Sequence, residues 1–518
     1  ALKAAPGYPV GAITDMKEKN KLCHAVVAHY FKMLQELIAL FPASKLIHRL
    51  IGLSEQLWRE KHIAGAKVTS RLACFGQIPS LRTEISEEAT KIDEASVALR
   101  CLIEIVAAIP PTGIKAINNY DLDQMLALSK EIITWGGLSD EISFGINNVE
   151  LGILPSGRLA TGKDFLNNTL LPYNIAKRNE DIDDRIEEEE AIALGISKDE
   201  YPRLKENESL KEAAYEAEFK YPWDDILSIL IALMELGYEQ RDGVIKFRID
   251  QLIRRLKRKL KYDEEKITYV LDEFSLKSRN SWSQVPNGFT STDIYPWRYN
   301  RGLSYMRKPL LQIVEDDSTY FYWGMRQVIL SWQYLSSLIE SGRYNYKTPL
   351  MGKYIGYLLN VKGKFFTQTV YNWLESTYSP LEIVFDREVQ IDIKGKLAAN
   401  KNYGDIDILI IIPKKKKIIS IECKKLNPAR TTSEFASELK KFESEWIGKH
   451  IKRHKWLQNN LVELGRVYHI EDCDQYDVRS VFLTSEKVPF PFITKNYKNL
   501  PFYDFGSLRR KTSLLYEM

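Results

Sequence analysis

Residues 403–410 read Tyr-Gly-Asp-Ile-Asp-Ile-Leu-Ile, and residues 418–425 read Ile-Ile-Ser-Ile-Glu-Cys-Lys-Lys. Pro413 and four consecutive lysines separate the end of the first apolar run from the second. Two apolar runs of strand length on either side of a polar turn predict a β-hairpin. Because both runs are nearly continuously apolar near the turn, they favour central strands that are buried on both faces.

The register of this hairpin places its polar side chains. If the hairpin closes symmetrically about residues 414 and 415, Asp407 lies directly across from Glu422, and Asp405 lies across from Lys424. Directly opposed residues of an antiparallel pair hold their Cβ atoms about 4.5–5.5 Å apart. Since side chains alternate with a period of two, we expect all four polar groups on one face.

The apolar neighbours Ile406, Ile408 and Cys423 are expected on the opposite face. Carboxylates gathered on otherwise apolar strands are costly unless another group compensates their charge. A divalent cation would do so, and the pattern therefore predicts a catalytic metal site. The alternative is an edge hairpin with lysines and aspartates on its solvated face, which protects against aggregation. The continuous apolar runs favour the first interpretation.

These motifs resemble those of the PD-(D/E)xK nuclease superfamily, which has a restriction-endonuclease-like fold. Gly404-Asp405-Ile406-Asp407 matches the first acidic motif, and Glu422-Cys423-Lys424 matches the ExK motif. Upstream, Gly363-Lys364-Phe365-Phe366 opens a helical pattern similar to the first helix of the family. Downstream, residues 477–484 are similar to a later core strand. The resemblance covers roughly the last third of the chain, from Lys362 to about Thr494.

The resemblance implies a role for each residue of the two motifs. Asp407 is the primary metal ligand, with Asp405 as a second or accessory acid, and Glu422 and the backbone carbonyl of Cys423 complete the ligand set. Oxygen ligands suit Mg²⁺ or Mn²⁺. Lys424 is expected to orient the attacking water. The implied activity is hydrolysis of phosphodiester bonds by a DNA endonuclease that leaves a 5′-phosphate, in a restriction or anti-phage defence system.

One position departs from the family pattern. Many members carry a glutamate directly after the helix phenylalanine, where this chain has Thr367. Gln368 or Glu375 are the substitutes that the sequence offers, and it assigns neither. Two alternatives therefore stay open. The first is a catalytically degenerate subunit with a nuclease fold that serves nucleic-acid binding or complex assembly, and the second is an RNA nuclease.

The charge distribution supports a polyanionic partner. The whole chain carries a net charge of +4, yet residues 401–518 contain 22 Lys and Arg against 15 Asp and Glu. Such a local excess favours a phosphate backbone, with binding that weakens as salt rises. Charge alone leaves a second interpretation open, a soluble surface with an ordinary bias towards lysine. We expect double-stranded DNA as the partner, contacted by Lys425, Lys449, Lys452 and Arg453. A second copy of the chain or a partner protein subunit is a further expectation.

Composition is ordinary for a globular protein, with 44% hydrophobic and 27% charged residues among 518. No apolar stretch reaches the roughly 18 residues that a membrane span needs, so no membrane association is expected. The first residues lack the apolar core of a secretory signal. Five scattered cysteines without metal-binding spacing predict reduced thiols and a cytoplasmic location.

The fold class expected for the whole chain is multidomain. The N-terminal and middle regions are predicted to be mainly α-helical, and the C-terminal region to be an α/β restriction-endonuclease-like domain with a central mixed sheet flanked by helices. The predicted segments are a helical domain (1–137), a mixed or irregular segment with an acidic linker (138–220), a helical, winged-helix-like middle domain (221–350) and the nuclease domain (351–518).

Several local features refine this division. Gly136-Gly137 is predicted to end the helix that starts at Asp121. The acidic run 180–190 is predicted to be a solvated helix end or a linker. The basic helix 250–260 leaves two interpretations open, DNA contact or an amphipathic surface helix. For the Trp-rich loop 281–299, aromatic packing is favoured over base stacking.

Overall fold

The computed structural model describes residues 8, 10–78, 80–146, 149–162, 166–193, 207–240, 242–298, 300–379, 381–429, 431–492 and 500–518. Contacts divide the chain into two compact units. The N-terminal unit comprises Ala1–Lys163 and Glu206–Gly356, and the C-terminal unit comprises Asp164–Lys205 and Tyr357–Met518.

The secondary structure of both units is as follows. The helices are α1 (Met16–Ile38), α2 (Ala43–Ala66), α3 (Val68–Phe75), α4 (Leu81–Ala108), α5 (Asn119–Phe144), α6 (Leu171–Ala193), α7 (Glu208–Phe219), α8 (Trp223–Gln240), α9 (Ile249–Leu260), α10 (Glu264–Glu273), α11 (Met325–Glu340), α12 (Pro349–Thr377), α13 (Thr432–Lys441), α14 (Ile447–Asn459), α15 (Leu461–Tyr468), α16 (Phe505–Arg510) and α17 (Leu514–Glu517). The strands are β1 (Gly11–Ile13), β2 (Leu151–Ile153), β3 (Leu159–Thr161), β4 (Val244–Arg248), β5 (Ser275–Lys277), β6 (Leu310–Glu315), β7 (Ser318–Gly324), β8 (Val384–Asp392), β9 (Leu397–Ala398), β10 (Gly404–Ile412), β11 (Lys417–Lys424), β12 (Asp477–Thr484) and β13 (Phe502–Asp504).

The long helices α1, α2, α4 and α5 of the N-terminal unit bury one shared apolar core. Helix α5 begins where the side chain of Asn118 accepts a hydrogen bond from the main-chain N–H of Asp121, which satisfies a free donor of the first turn. The predicted end of this helix at Gly136-Gly137 is wrong. The helix continues to Phe144 and ends at Gly145, whose φ of 62° suits a left-handed cap. Gly136 serves packing instead, because a Cβ there would clash with the indole ring of Trp297.

The four-stranded sheet of the N-terminal unit has the strand order β4-β7-β6-β5. Strands β6 and β7 form an antiparallel hairpin within it, and β4 lies between α8 and α9 in the chain. Most basic side chains of α9 are held in ion pairs. These pairs are Arg254 with Asp250, Arg255 with Glu239, Lys257 with Glu264, and Lys259 with Glu235. This pairing favours the interpretation of α9 as an amphipathic surface helix.

The aromatic loop of the N-terminal unit is packed rather than presented to solvent. Trp282 and Trp297 lie against the main core, and the rings of Tyr295 and Trp297 stack with centroids 4.8 Å apart. Arg298 makes two hydrogen bonds to the Asp140 carboxylate, at 2.9 and 2.8 Å. The favoured interpretation of this loop as an aromatic packing element is consistent with these contacts.

The C-terminal unit is built on a six-stranded mixed sheet with the order β13-β12-β11-β10-β8-β9. Strands β8, β10 and β11 are antiparallel neighbours, and β12 runs parallel to β11. One face packs on α12, α16 and α17 through a cluster that includes Val370 and Leu374. The other face packs on α14 and α15 through a cluster that includes Trp456 and Leu464. A mixed sheet between helices is therefore present, as predicted.

The predicted hairpin closes in the predicted register. Ile408 pairs with Ile421, and the ladder continues to Ile412 opposite Lys417. The prediction for Ile406 is wrong, since Ile408 and Cys423 share one cluster whereas Ile406 packs in the cluster of the other face. The alternation of side chains between the two faces breaks along this part of β10. On β8, the partners of Ile406 and Ile408 lie on either side of Glu388, which has a left-handed φ of 51°.

The acidic run 180–190 lies inside α6, which belongs to the C-terminal unit. Glu180 is 3% exposed and accepts hydrogen bonds from Lys177 Nζ at 3.0 Å and from the main-chain N–H of Lys487 at 3.2 Å. Arg510 Nη1 lies 3.0 Å from Asp184 Oδ1 and 3.3 Å from Glu187 Oε1. Of the two alternatives predicted for this run, the structure shows the helix end, and basic side chains hold it in place.

No helix in the described ranges is both long and apolar enough to cross a membrane.

Candidate active site

Asp407 lies directly before the part of β10 that pairs with β11. Because the ladder with β11 begins at Ile408 opposite Ile421, the register extended by one residue sets Asp407 opposite Glu422. Asp407 Oδ2 accepts a hydrogen bond of 2.7 Å from the main-chain N–H of Cys423. This bond fixes the carboxylate against the backbone of β11, directly beside the second motif.

The electrostatic setting of Asp407 opposes its ionisation. Burial, followed by the neighbouring charge of Glu422, raises the pKa of Asp407 well above its usual range, although the ammonium of Lys424 and the Cys423 N–H act in the opposite direction. A buried carboxylate beside a second carboxylate is stabilised in its charged form only by added positive charge. A cation beside Asp407 would therefore favour its charged form.

Glu422 is the more completely compensated acid. It is 8% exposed. Its Oε1 lies 2.6 Å from Lys424 Nζ, and its Oε2 accepts a hydrogen bond from the guanidinium of Arg453 on α14. Each carboxylate oxygen therefore has one cationic partner, and the charge of Glu422 is held within a buried ionic cluster.

Lys424 occupies the position that the ExK motif predicts. Its ammonium contacts Glu422 and lies 5.4 Å from the centroid of the Trp446 ring, a distance within the range of a cation–π interaction. The side chain retains 23% exposure. Lys424 can thus reach solvent while one carboxylate and one aromatic face restrict its position.

The basic residues predicted to bind nucleic acid are distributed over two environments. Lys449 and Lys452 are exposed on α14, and Lys425 Nζ lies 3.8 Å from Glu486 Oε1. Arg453 is only 5% exposed, and its guanidinium faces Glu422 instead of solvent. Its expected phosphate contact would require this ion pair to open.

The sequence interpretation missed the structural role of Arg453. A signal was present, because His450, Arg453, Trp456 and Leu457 follow the i, i+3, i+6, i+7 spacing of a buried helix face. A cation at such a position requires a buried acid as partner. That acid is Glu422.

Asp405 does not complete a cluster of three acids. It is exposed, pairs with Gln390 of β8 along the backbone ladder, and adds only a minor charge effect to Asp407. Across the described part of the chain, no group of three His, Cys, Asp or Glu side chains could hold a metal ion. The donors that fit the predicted ion are the two carboxylates of Asp407 and Glu422, with the Cys423 carbonyl beside them. These donors are all oxygens, as Mg²⁺ or Mn²⁺ prefers.

Thr367 lies on α12, the helix that packs on the face of the sheet that carries the Cys423 side chain. Its side chain is hydrogen-bonded to the buried thiol of Cys423. The helix position where the family often carries a glutamate thus adjoins the ExK strand. The substitutes that the sequence offered bond within their own helix, Gln368 to Asn372 and Glu375 to Tyr371.

The two histidines of α14 serve packing. His450 is 1% exposed, with its ring centroid 4.3 Å from that of Phe482, and burial lowers its pKa to about 4. His454 Nδ1 lies 3.0 Å from Ser480 Oγ. His450 is therefore neutral at physiological pH, and the pair is not directed to a common ligand.

Fold and site together define a multidomain α/β protein with a buried ionic cluster on the central strands of its C-terminal mixed sheet. The chain belongs to the anti-phage protein Upx-like family, whose profile matches residues 11–497. This membership indicates a role in defence against phage. No curated protein and no solved structure is similar enough to the chain to count as a match.

Proposed function

We propose that the chain defends against phage as a metal-dependent nuclease, with DNA as its substrate. The observation that carries the proposal is the position of Asp407, a half-buried acid set opposite Glu422, with Lys424 in contact with Glu422. Two neighbouring acids can hold a metal ion for hydrolysis of a phosphodiester bond, and an adjacent amine can stabilise the charge that develops on the phosphate.

The order of elements supports the resemblance to PD-(D/E)xK nucleases. Helix α12 precedes the antiparallel strands β8, β10 and β11, helices α13 to α15 follow, and β12 then pairs in parallel with β11. The two acidic motifs thus stand on adjacent central strands, after the first helix and before the later core strand. Thr367 lies where an additional acid is common in that superfamily, so the acidic shell of this chain is thinner.

Each residue has a distinct task in this proposal. A Mg²⁺ or Mn²⁺ ion held by Asp407, Glu422 and the Cys423 carbonyl would polarise the phosphate and lower the pKa of a bound water. Lys424 would leave Glu422 to orient the attacking water and stabilise the charge that develops on the phosphate. The exposed amines of Lys449 and Lys452 would bind the backbone of the substrate.

The test combines cleavage and protection. Purified full-length protein is incubated with plasmid DNA and with short RNA, in Mg²⁺, Mn²⁺ or EDTA, and cells that express the chain are challenged with phage. We expect metal-dependent DNA cleavage and protection, both lost in Asp407→Asn and Lys424→Met. Glu463→Gln is the matched control, because Glu463 is a carboxylate of the same unit that is paired with Arg466 at the surface of α15. Cleavage restricted to RNA would reassign the substrate.

A second function is favoured by the Arg453–Glu422 ion pair. An acid whose two oxygens already have cationic partners can serve the fold alone, as in a nuclease-like subunit that recruits nucleic acid or a partner protein. In that case the wild-type protein protects cells without cleaving any substrate under any metal. Asp407→Asn would then leave protection intact.

A further inference from the structure

A cavity of about 490 Å³ lies in the N-terminal unit, lined by residues of α4, α10, β5 and the loop that follows β5. Its size is within the range of small-molecule sites. Buried lining residues include Ala108, Ser275 and Lys308, whereas Asn280 and Gln284 are exposed at its mouth. The cavity belongs to neither the C-terminal sheet nor the ionic cluster on it.

The acidic side chains of the lining all have cationic partners. Both oxygens of Glu104 are occupied, Oε1 by the main-chain N–H of Tyr305 at 2.7 Å and Oε2 by the guanidinium of Arg301. Two further acids of the lining pair as Asp272 with Lys277 at 2.9 Å and Glu273 with Lys347 at 3.5 Å. The negative charge of the wall is therefore compensated within the protein.

Two cations of the lining are different. In the described part of the chain, neither Lys308 nor Arg279 has a carboxylate within ion-pair distance. The Lys308 ammonium, on a residue that is 8% exposed, donates to the main-chain carbonyl of Glu273. The Arg279 guanidinium makes a long contact of 3.5 Å with the Gln284 carbonyl and lies 5.1 Å from the centroid of the Trp282 ring.

Burial lowers the pKa of both cations, to about 8 for Lys308. A buried cation without a paired acid is costly, and a bound anion would offset that cost. The nearest acids of the wall, Glu273 for Lys308 and Glu104 for Arg279, oppose this lowering without offsetting it.

We infer that this cavity binds a nucleotide, whose phosphate is held by Lys308 and Arg279. The main-chain N–H of Arg279 bonds to the Ala108 carbonyl at 2.7 Å and so fixes the backbone from which its guanidinium projects. Guanidinium and ammonium groups bind phosphate oxygens through charge-assisted hydrogen bonds. Two aromatic rings of the lining, Tyr269 and Phe289, offer faces for a base. The site is separate from the proposed nuclease centre.

The experiment measures binding of AMP and GMP to the full-length protein by isothermal titration calorimetry, with inorganic phosphate and adenosine as separate probes. We expect AMP or GMP to bind more tightly than either fragment, because the phosphate and the base each contribute. Arg279→Gln and Lys308→Met should each weaken binding by about tenfold or more. Asp407→Asn should leave it unchanged, which separates this site from the nuclease centre.

The control is Arg254→Gln, which removes an arginine of the same unit that is exposed on α9 and paired with Asp250. Circular dichroism and thermal unfolding establish that each variant is folded, and Arg279→Lys, which keeps the charge, should retain part of the affinity. The inference is overturned if neither nucleotide binds at millimolar concentration, if both cavity variants bind as the wild type does, or if phosphate alone binds as tightly as AMP.

Discussion

Replacement of Arg453 by Met tests the buried ionic cluster most directly. The guanidinium of Arg453 donates to Glu422 Oε2 from a side chain that is 6% exposed, and the Glu422 side chain is 11% exposed. Met fills much of the same volume without charge. The substitution therefore leaves Glu422 with Lys424 as its remaining cationic partner.

The magnitude follows from two opposing contributions. Removal of one partner of a buried ion pair costs about 3–5 kcal/mol. Arg453 Nε is buried and has no hydrogen-bond partner in the described structure, and relief of such an orphaned donor returns about 1–3 kcal/mol. We therefore expect Arg453→Met to destabilise β11 and α14 locally by about 2 kcal/mol.

Hydrogen–deuterium exchange resolves this effect better than a melting temperature, because a chain of two units need not unfold in one step. Peptides that cover β11 and α14 should exchange faster in the variant, and peptides of the N-terminal unit should not change. Under the proposed function, Mg²⁺ should slow exchange at β11 more in Arg453→Met than in wild type, since the cation then meets a less compensated acid. Unchanged exchange of both peptides would refute the assigned role of Arg453.

Three further predictions concern stability. Gly324→Ala should destabilise the start of α11 by about 1–3 kcal/mol, measured by chemical denaturation, because the added Cβ would collide with the Glu55 carboxylate that caps this helix; a neutral result would show that Glu55 can move aside. Burial lowers the pKa of Lys308 from 10.5 to about 8, so the folded state loses this proton at a lower pH than the unfolded state does. Wild type should therefore gain stability relative to Lys308→Met as pH rises from about 8 to 10.5. Denaturation of both proteins at pH 7.5 and pH 10 should reveal this gain, and a stability difference that does not change with pH would contradict it. Arg510→Glu should destabilise α6 by about 1 kcal/mol, measured by hydrogen exchange, a small effect because solvent screens the partly exposed ion pair with Glu187. Glu187→Arg added in the same chain should restore part of this stability, and no rescue would mean that the pair does not hold the helix.

The sequence predicted the hairpin of β10 and β11 correctly because the residues that specify it lie close together in the chain. The turn length fixes the register, and Ile408 lies opposite Ile421 as the symmetric closure requires. The hairpin of β6 and β7 and the helix that follows it were predictable for the same reason, since turn residues and apolar periodicity lie within a few positions of each other. The nuclease activity and its metal are predictions that this geometry supports without testing them.

Failures arose where a distant residue decided the outcome. Gly136 reads as a helix terminator, yet the helix continues because the ring of Trp297, distant in sequence, occupies the space that a side chain would fill. Ile406 changes face because its neighbour strand β8 carries a left-handed Glu388. Neither effect follows from the residues adjacent in sequence.

The candidate site shows the same division between local pattern and long-range packing. Strand alternation and turn length, both local, determined that Asp407 and Glu422 lie opposite each other and that Lys424 accompanies them. Only the packing of α14 on the sheet decided that the guanidinium of Arg453 reaches Glu422. An ion pair between residues 31 positions apart depends on how a helix docks, and docking is set by the combined burial of many apolar side chains, which no short motif encodes.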